Sequence, residues 1–182
     1  MLKVIGFTEA VNPHVEIDYY IPLSFRCPAG RSFPSPLYWR TGDLKRTYID
    51  IGLTSSYRET VPNRGAICKV TAESLGNVRH SENDDMCAAK IIACAVPICD
   101  TENWSPDRFV DVCREFTTTV GPSWVSISFE ENPDIEVIYE AGSLQFGVNT
   151  SGFLSALKFV SLSDHDISGI LSAGAGCKLL PS

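Results

Sequence analysis

The sequence predicts an α+β fold in one domain spanning residues 1–182: a mainly antiparallel sheet with a C-terminal β-meander and two or more packed helices. Three observations predict it. Apolar residues recur at every second position along much of the chain, as in half-buried strands. Tight turns separate the last four of these segments, and two stretches carry helix start and stop signals. With 182 residues, 44% of them hydrophobic, the chain can bury one good core.

Alternation marks the strands of the first hundred residues. The Asn12-Pro13 pair is typical of a turn between the first two. The third and fourth are expected to pair antiparallel, and the fifth, rich in β-branched residues, is expected to be buried. The five predicted strands are 2–8, 14–25, 44–53, 65–74 and 88–98.

Two segments between these strands are expected to be loops. Residues 26–40 are rich in proline and glycine and contain the candidate exposed aromatic residues Phe33, Tyr38 and Trp39. Residues 76–85 are polar. Long ordered loops often carry function, and the sequence leaves open whether either loop takes part in binding.

Two helices are predicted from their boundary residues. The first has Ser105 as N-cap and Pro106 at its first position, and it stops at Gly121-Pro122. Its apolar stripe at helical spacing comprises Phe109, Val112, Cys113, Phe116 and Val120. The second helix opens at Ser163, with Asp166 completing a near capping box, and ends at Gly174. Its expected buried residues are Ile167, Ile170 and Leu171.

A meander of four short strands lies between the two predicted helices. Turns at residues 132–134, 141–142 and 149–152 carry the residue types that tight turns require. The predicted strands are 123–130, 135–140, 144–149 and 153–162.

The negative charge of the chain is confined to its C-terminal part. Residues 1–100 carry 11 basic and 11 acidic residues, whereas residues 101–182 carry 4 basic and 11 acidic ones. Nucleic-acid binding needs clustered lysine and arginine, so this distribution argues against it. It favours solubility or attraction to a basic partner.

Five carboxylates crowd the segment FEENPDIEVIYEAG (129–142), which contains neither lysine nor arginine. Strand alternation would put Ile135, Val137 and Tyr139 on one face, and Glu136, Ile138 and Glu140 on the other. Glu136 and Glu140 would then be about 13 Å apart, too far for a catalytic pair and suited to two contacts with a large basic surface. A merely solvated edge remains the simpler alternative.

The predicted partner-binding residues follow from this hairpin. The carboxylates are expected to steer a basic partner, and nearby aromatic residues are candidates for buried contacts. The acidic set is Glu130, Glu131, Asp134, Glu136 and Glu140, and the aromatic set is Trp124 and Tyr139, with Phe129 and Trp104 nearby.

The residue types for catalysis and metal binding show no matching pattern. No nucleophile elbow, phosphate loop or HExxH motif is present, and His14, His80 and His165 are scattered. The RHSENDD segment (79–85) offers metal-ligand side chains but lacks the glycine and spaced acids of a calcium loop. We therefore expect no catalysis, no cofactor and no metal, although a cysteine–histidine pair formed in space remains open.

Cysteine usage and the first residues predict a cytoplasmic protein. The seven cysteines are an odd number, form no CxxC pair, and several occupy apolar-periodic positions, so we expect reduced and mostly buried thiols. Residues 1–20 lack the apolar block of a secretory signal. The longest apolar stretch, 86–99, is interrupted by Lys90 and Pro97 and is shorter than the roughly 20 residues of a membrane span.

The segment LQFGVNTSGFLSALKFVSLSDHDISGIL (144–171), with the strands TYIDIGL and ICKVT, resembles immunity proteins of polymorphic toxin and contact-dependent growth inhibition systems. The resemblance implies tight, stoichiometric inhibition of a cognate toxin domain, often a basic nuclease, through an acidic interface. The balanced charge of residues 1–100 departs from the most acidic of these proteins. Two alternatives remain: a protein- or small-ligand-binding domain, and an enzyme without a visible motif.

Overall fold

The computed structural model describes residues 1–18, 20–27, 37–43, 47–54, 63–76, 78–83, 86, 88, 90–104 and 109–176. Strands dominate this part of the chain. The elements are β1 (Val4–Glu9), β2 (His14–Glu16), β3 (Leu23–Arg26), β4 (Leu37–Gly42), β5 (Tyr48–Leu53), β6 (Arg64–Ser74), β7 (Val78–His80), β8 (Lys90–Ala93), β9 (Ala95–Asp100), β10 (Phe109–Cys113), β11 (Thr117–Val120), β12 (Val125–Ser128), β13 (Ile135–Ala141), β14 (Leu144–Asn149), β15 (Leu154–Phe159) and α1 (Asp164–Gly176).

The strands form two sheets. The first has the order β1-β9-β6-β5-β4-β10, and β3 pairs with β6 and carries β2 on its other side. The second has the order β7-β11-β12-β15-β14-β13-β8. Most neighbours are antiparallel, but β10–β4, β11–β7 and β13–β8 are parallel pairs.

The two sheets pack face to face around one core. In the first sheet, cross-strand register aligns one inward row: Val15, Phe25, Val70, Ile51, Trp39 and Val110. In the second sheet the matching row is Ile127, Leu157, Phe146 and Tyr139. Edge-to-face ring contacts join the layers, with Phe25 at 5.7 Å from Phe146 and Trp39 at 5.5 Å from Phe129 between ring centroids. The architecture is therefore a two-layer β-sandwich.

The predicted α+β class with two or more packed helices is wrong. The described residues contain one helix, and the segment predicted as the first helix forms β10 and β11 instead. In β10, Val110 and Val112 face the core while Phe109, Asp111 and Cys113 are exposed. Phe109 and Cys113 belong to the predicted helical stripe but are exposed, because strand pairing with β4 and β12 imposes a two-residue period instead. Residues 105–108, the predicted helix start, lie outside the described residues.

The predicted meander and final helix are confirmed. Strands β12, β14 and β15 fall within their predicted segments, β13 extends one residue beyond its segment to Ala141, and β5 pairs antiparallel with β6 as expected. The capping box is formed: the Ser163 backbone N–H donates to Asp166 Oδ2 at 2.9 Å, and the Asp166 N–H donates to Ser163 Oγ at 3.2 Å. Helix α1 runs two residues past Gly174, and Ile170 is buried.

The predicted buried strand 88–98 divides at Cys94. Strand β8, before Cys94, is mostly exposed and joins the second sheet, whereas β9, after it, is largely buried and joins the first. Cys94 has a φ of 52°, in the left-handed region, which lets the chain turn sharply between the layers.

Several predicted boundaries also change. The predicted strand 14–25 is two strands, β2 and β3. The predicted loop 26–40 already contains the start of β4, where Tyr38 is half-buried and Trp39 is buried; Phe33 lies outside the described residues. Within the predicted loop 76–85, β7 pairs with β11. In the part of the chain that the structure describes, no helix has the length and apolar character needed to cross a membrane.

Candidate functional site

The acidic segment lies at one side of the second sheet. After β12 the chain turns through residues 129–134, and β13 and β14 then form the hairpin. Glu131, Asp134 and Glu136 are exposed, while Glu130 and Glu140 are half-buried. The five predicted carboxylates therefore share a region, with Glu130, Glu131 and Asp134 before the hairpin and Glu140 near its far turn.

A polar groove of about 480 Å³ opens beside the first three carboxylates, on the outward face of the second sheet. Two hydroxyl pairs sit on its sheet wall, because Thr117 lies opposite Ser128 and Thr119 lies opposite Ser126. The remaining lining residues include Arg79, Met86, Glu130 and Glu131. Sequence reasoning missed the threonines, which it assigned to a helix; the β-branched run Thr117-Thr118-Thr119-Val120 is the signal that could have found them.

Local hydrogen bonds hold three of the five carboxylates. Asn149 Nδ2 donates to Glu130 Oε2 at 3.2 Å, and Gln145 Nε2 donates to Glu140 Oε2 at 2.9 Å. Thr150 Oγ1 donates to Asp134 Oδ2 at 3.4 Å. Amide and hydroxyl donors orient these carboxylates without neutralising them.

None of the five carboxylates forms an ion pair with another described residue. Within this part of the chain, Arg40 and Asp111 form an ion pair, and both residues lie on the first sheet. Burial and the charge of Arg114 lower the pKa of the Met1 ammonium group. The negative charge of Glu130 lies close enough to offset part of that shift. The structure also brings basic side chains close in space: Arg79 lines the groove with Glu130 and Glu131, and Gln145 lies opposite both Glu140 and Lys158.

A β-bulge changes the predicted faces of β13. The pairing of β13 with β14 shifts between Ile135 and Val137, so strict alternation does not run through Glu136. From Val137 onward the prediction holds: Val137 and Tyr139 contact the main core. Ile135 does not follow them; it packs outward with Ile138, Met86 and Ala156.

The structure places the predicted aromatic contacts below the surface. Trp124 is 7% exposed and Tyr139 is 9% exposed, and Phe129 is buried against Trp39. Burial raises the pKa of Tyr139. Trp104 is half-buried and lines a separate hollow with Trp39 and Val110. In the free protein these rings stabilise the sheets, and the carboxylates are the accessible part of the site.

The described histidines are all exposed, and the described cysteines range from buried to exposed. His14, His80 and His165 are exposed, and the described residues contain no group of three or more potential metal ligands. Asp84 and Asp85 of the candidate metal loop lie outside the described residues. Of the cysteines that are described, Cys27 and Cys99 are buried, Cys68 is half-buried, and Cys94 and Cys113 are exposed; all are free thiols.

The comparisons with known proteins add no family. No protein-family model matches the chain, and no curated protein matches it.

Proposed function

We propose that this chain is a cytoplasmic immunity protein that binds and neutralises a cognate toxin domain with a basic surface. Its binding face is the acidic face, defined as Glu130, Glu131, Asp134, Glu136 and Glu140. The observation that carries the proposal is the absence of ion pairs between these five carboxylates and other described residues. The protein acts by occupying the toxin and not by catalysis.

Carboxylates that lie in one region and form no ion pair with other described residues favour fast capture of a basic protein. Charges of one sign steer a diffusing partner and raise the association rate by 10-fold to 1,000-fold at low ionic strength. Single exposed charges contribute little affinity, so the group matters more than any member. An inhibitor that must act before a toxin does damage benefits from a fast association rate.

The groove beside Glu130 and Glu131 supplies the second element of an interface. Its hydroxyls and its two acidic residues, set against the single basic lining residue Arg79, suit the long basic side chain of a partner, since arginine donates to carboxylates and hydroxyls in a fixed planar arrangement. Tyr139 supports this face from beneath, because it lies in the core on the same strand as Glu136 and Glu140.

The proposal is tested by co-expression with the polypeptide encoded by the adjacent reading frame. We expect that polypeptide to arrest growth alone and growth to recover with this chain. Purified components should form a one-to-one complex. A non-toxic neighbour, or a toxic one that this chain neither binds nor relieves, contradicts the proposal.

A charge-reversal pair tests the face. The variant E131K/D134K/E136K changes three exposed carboxylates of the acidic face and leaves the half-buried Glu130 and Glu140 in place. The matched control E9K/E73K/E102K makes the same charge change at three exposed sites elsewhere. We expect the first to slow association with the partner by roughly 10-fold or more at low salt and the control to have a much smaller effect. Equal rates for both variants would mean that net charge, and not this face, matters.

A further inference from the structure

A second polar site lies on the outward face of the first sheet, far in sequence from the acidic face. Cross-strand register places Arg26 directly opposite Lys69, and Ser24 directly opposite Thr71. Glu16 on β2 lies opposite Ser24. Because residues two apart on a strand share a face, the basic pair and the hydroxyl pair stand side by side, about 7 Å apart along the strands.

These side chains enclose a small cavity. It measures about 180 Å³, and its lining comprises Ile21 and the polar residues Glu16, Asp18, Ser24, Arg26, Lys69 and Thr71. At about 30 Å³ for each water molecule, the space suits a ligand of roughly six non-hydrogen atoms. Cavities that bind drug-sized molecules are larger, so the ligand is a small metabolite.

One wall carries a buried hydroxyl without a partner. Thr71 is 3% exposed, and its Oγ1 atom forms no hydrogen bond. A buried hydroxyl left unpaired costs stability, and most such groups in proteins have a partner. A ligand in the cavity would supply that partner.

The basic pair also forms no ion pair among the described residues, although Asp50, which lies opposite Thr71 on β5, is close enough for the charge of Lys69 to lower its pKa. Arg26 and Lys69 are like charges directly opposite on neighbouring strands, an arrangement that destabilises a sheet. Neither forms an ion pair with Glu16, Asp18 or any other described acid. A carboxylate bound between them would relieve the repulsion through charge-assisted hydrogen bonds.

The acidic lining residues indicate which group, besides a carboxylate, a ligand of this cavity would carry. Glu16 is exposed, and Asp18 uses Oδ1 to accept the Tyr20 backbone N–H at 2.8 Å, which leaves Oδ2 for another donor. The two lining acids balance Arg26 and Lys69, so the lining residues carry no net charge at pH 7. A simple anion would meet two carboxylates, and a simple cation would meet two basic groups, whereas a zwitterion satisfies both.

We propose that this cavity binds a small free α-amino acid. Its carboxylate lies between Arg26 and Lys69, its ammonium group contacts Glu16 and Asp18, and Thr71 Oγ1 hydrogen-bonds to the bound molecule. The site is independent of the acidic face, which lies on the other sheet, and its test needs no partner protein.

The test is calorimetric titration of the full chain with glycine, L-alanine and L-serine. Lactate lacks the ammonium group and ethanolamine lacks the carboxylate, so they serve as matched probes. We expect at least one amino acid to bind and both probes to bind at least about 10-fold more weakly, because each lacks one set of charge-assisted hydrogen bonds. No binding by the three amino acids, or equal binding by lactate, overturns the proposal.

Two variants locate the binding. Lys69→Met should weaken amino-acid binding by about 10-fold or more, while Lys90→Met, an exposed lysine on β8, should leave it unchanged. Thr71→Val should raise the melting temperature of the free protein, because it removes the unpaired hydroxyl, and should weaken binding at the same time. Unchanged affinity in both Lys69→Met and Thr71→Val would place any binding elsewhere and overturn the assignment.

Discussion

The ammonium nitrogen of Lys158 lies 4.8 Å from the centre of the Trp124 ring. Lys158 is 3% exposed, and it faces Gln145, the residue that also hydrogen-bonds Glu140. A cation from β15 thus stands beside an acidic hairpin that has none of its own. The attraction between a desolvated lysine and a tryptophan ring stabilises this side of the sheet.

A double-mutant cycle measures that contact. Lys158→Met keeps the aliphatic stem and removes the charge, and Trp124→Leu removes the aromatic ring. We expect a coupling free energy of about 0.5–2 kcal/mol in urea unfolding, in the stabilising direction. The cycle is needed because both residues have other neighbours. Additive single effects would show that the charge and the ring do not interact.

Replacing Asp50 with asparagine should stabilise the protein at neutral pH. The pKa of Asp50 is raised, mainly by burial and to a small extent by the charge of Asp111. The hydrogen bond from Tyr48 and the charges of Arg40 and Lys69 offset only part of that rise. Its Oδ1 atom has no hydrogen-bond partner. The folded protein therefore binds this proton more tightly than the unfolded chain, and the ionised carboxylate costs stability above its folded pKa.

The Asp50→Asn advantage should shrink as the pH falls through that raised pKa, since the native carboxyl then becomes neutral as well. The measurement is the difference in melting temperature between the Asp50→Asn variant and wild type, recorded from pH 7 down to pH 4. Glu73→Gln, at an exposed position, is the control and should show no such trend. If Asp50→Asn were less stable than wild type at pH 7, the predicted stabilisation would be wrong.

Alkylation at pH 8 should separate the cysteines by position. Burial raises the pKa of Cys99 to about 12, with Asp100 adding to it. Burial, and to a smaller extent the charge of Cys27, raises the pKa of Cys68 to about 11. Cys94 and Cys113 are exposed. Because thiolates are the reactive form, peptide mass spectrometry of iodoacetamide-treated native protein should find label at Cys94 and Cys113 first.

Denaturation provides the comparison for the thiol measurement. In urea, Cys68 and Cys99 should become labelled as readily as Cys94. Rapid native labelling of Cys99 would mean that the interior near β9 opens far more often than the packing implies. Native disulfides among the described cysteines would contradict both the free thiols and the cytoplasmic proposal.

The capping box of α1 predicts a pH-dependent contribution to stability. Hydrogen bonds from the Ser163 side chain and backbone lower the pKa of Asp166. A lowered pKa means that this stabilisation is present above the ordinary carboxyl pKa and is lost as the pH falls through the lowered one. Ser163→Ala should cost about 1 kcal/mol at pH 7 by urea unfolding, and less at pH 3. A cost that does not change with pH would show that the carboxylate takes no part in the cap.

The sequence alone specified the elements whose signals are local. The meander strands are separated by residues that tight turns require, and the last helix begins with a serine three residues before an aspartate, so neighbouring residues determine both. The concentration of carboxylates in 129–142 and the excess negative charge after residue 100 are likewise visible without any coordinates.

The tertiary structure decided what depends on distant pairing. Residues 109–120 carry a helical apolar stripe, but pairing with β4 and β12 makes 109–113 and 117–120 strands by satisfying their backbone hydrogen bonds. A bulge at Glu136, a property of how β13 meets β14, turns Ile135 away from the core. The meeting of Arg26 with Lys69 joins residues more than 40 positions apart. Local patterns carry propensities of a few tenths of a kcal/mol for each residue, whereas burial and sheet pairing contribute several times more, so the long-range contacts prevail wherever the two disagree.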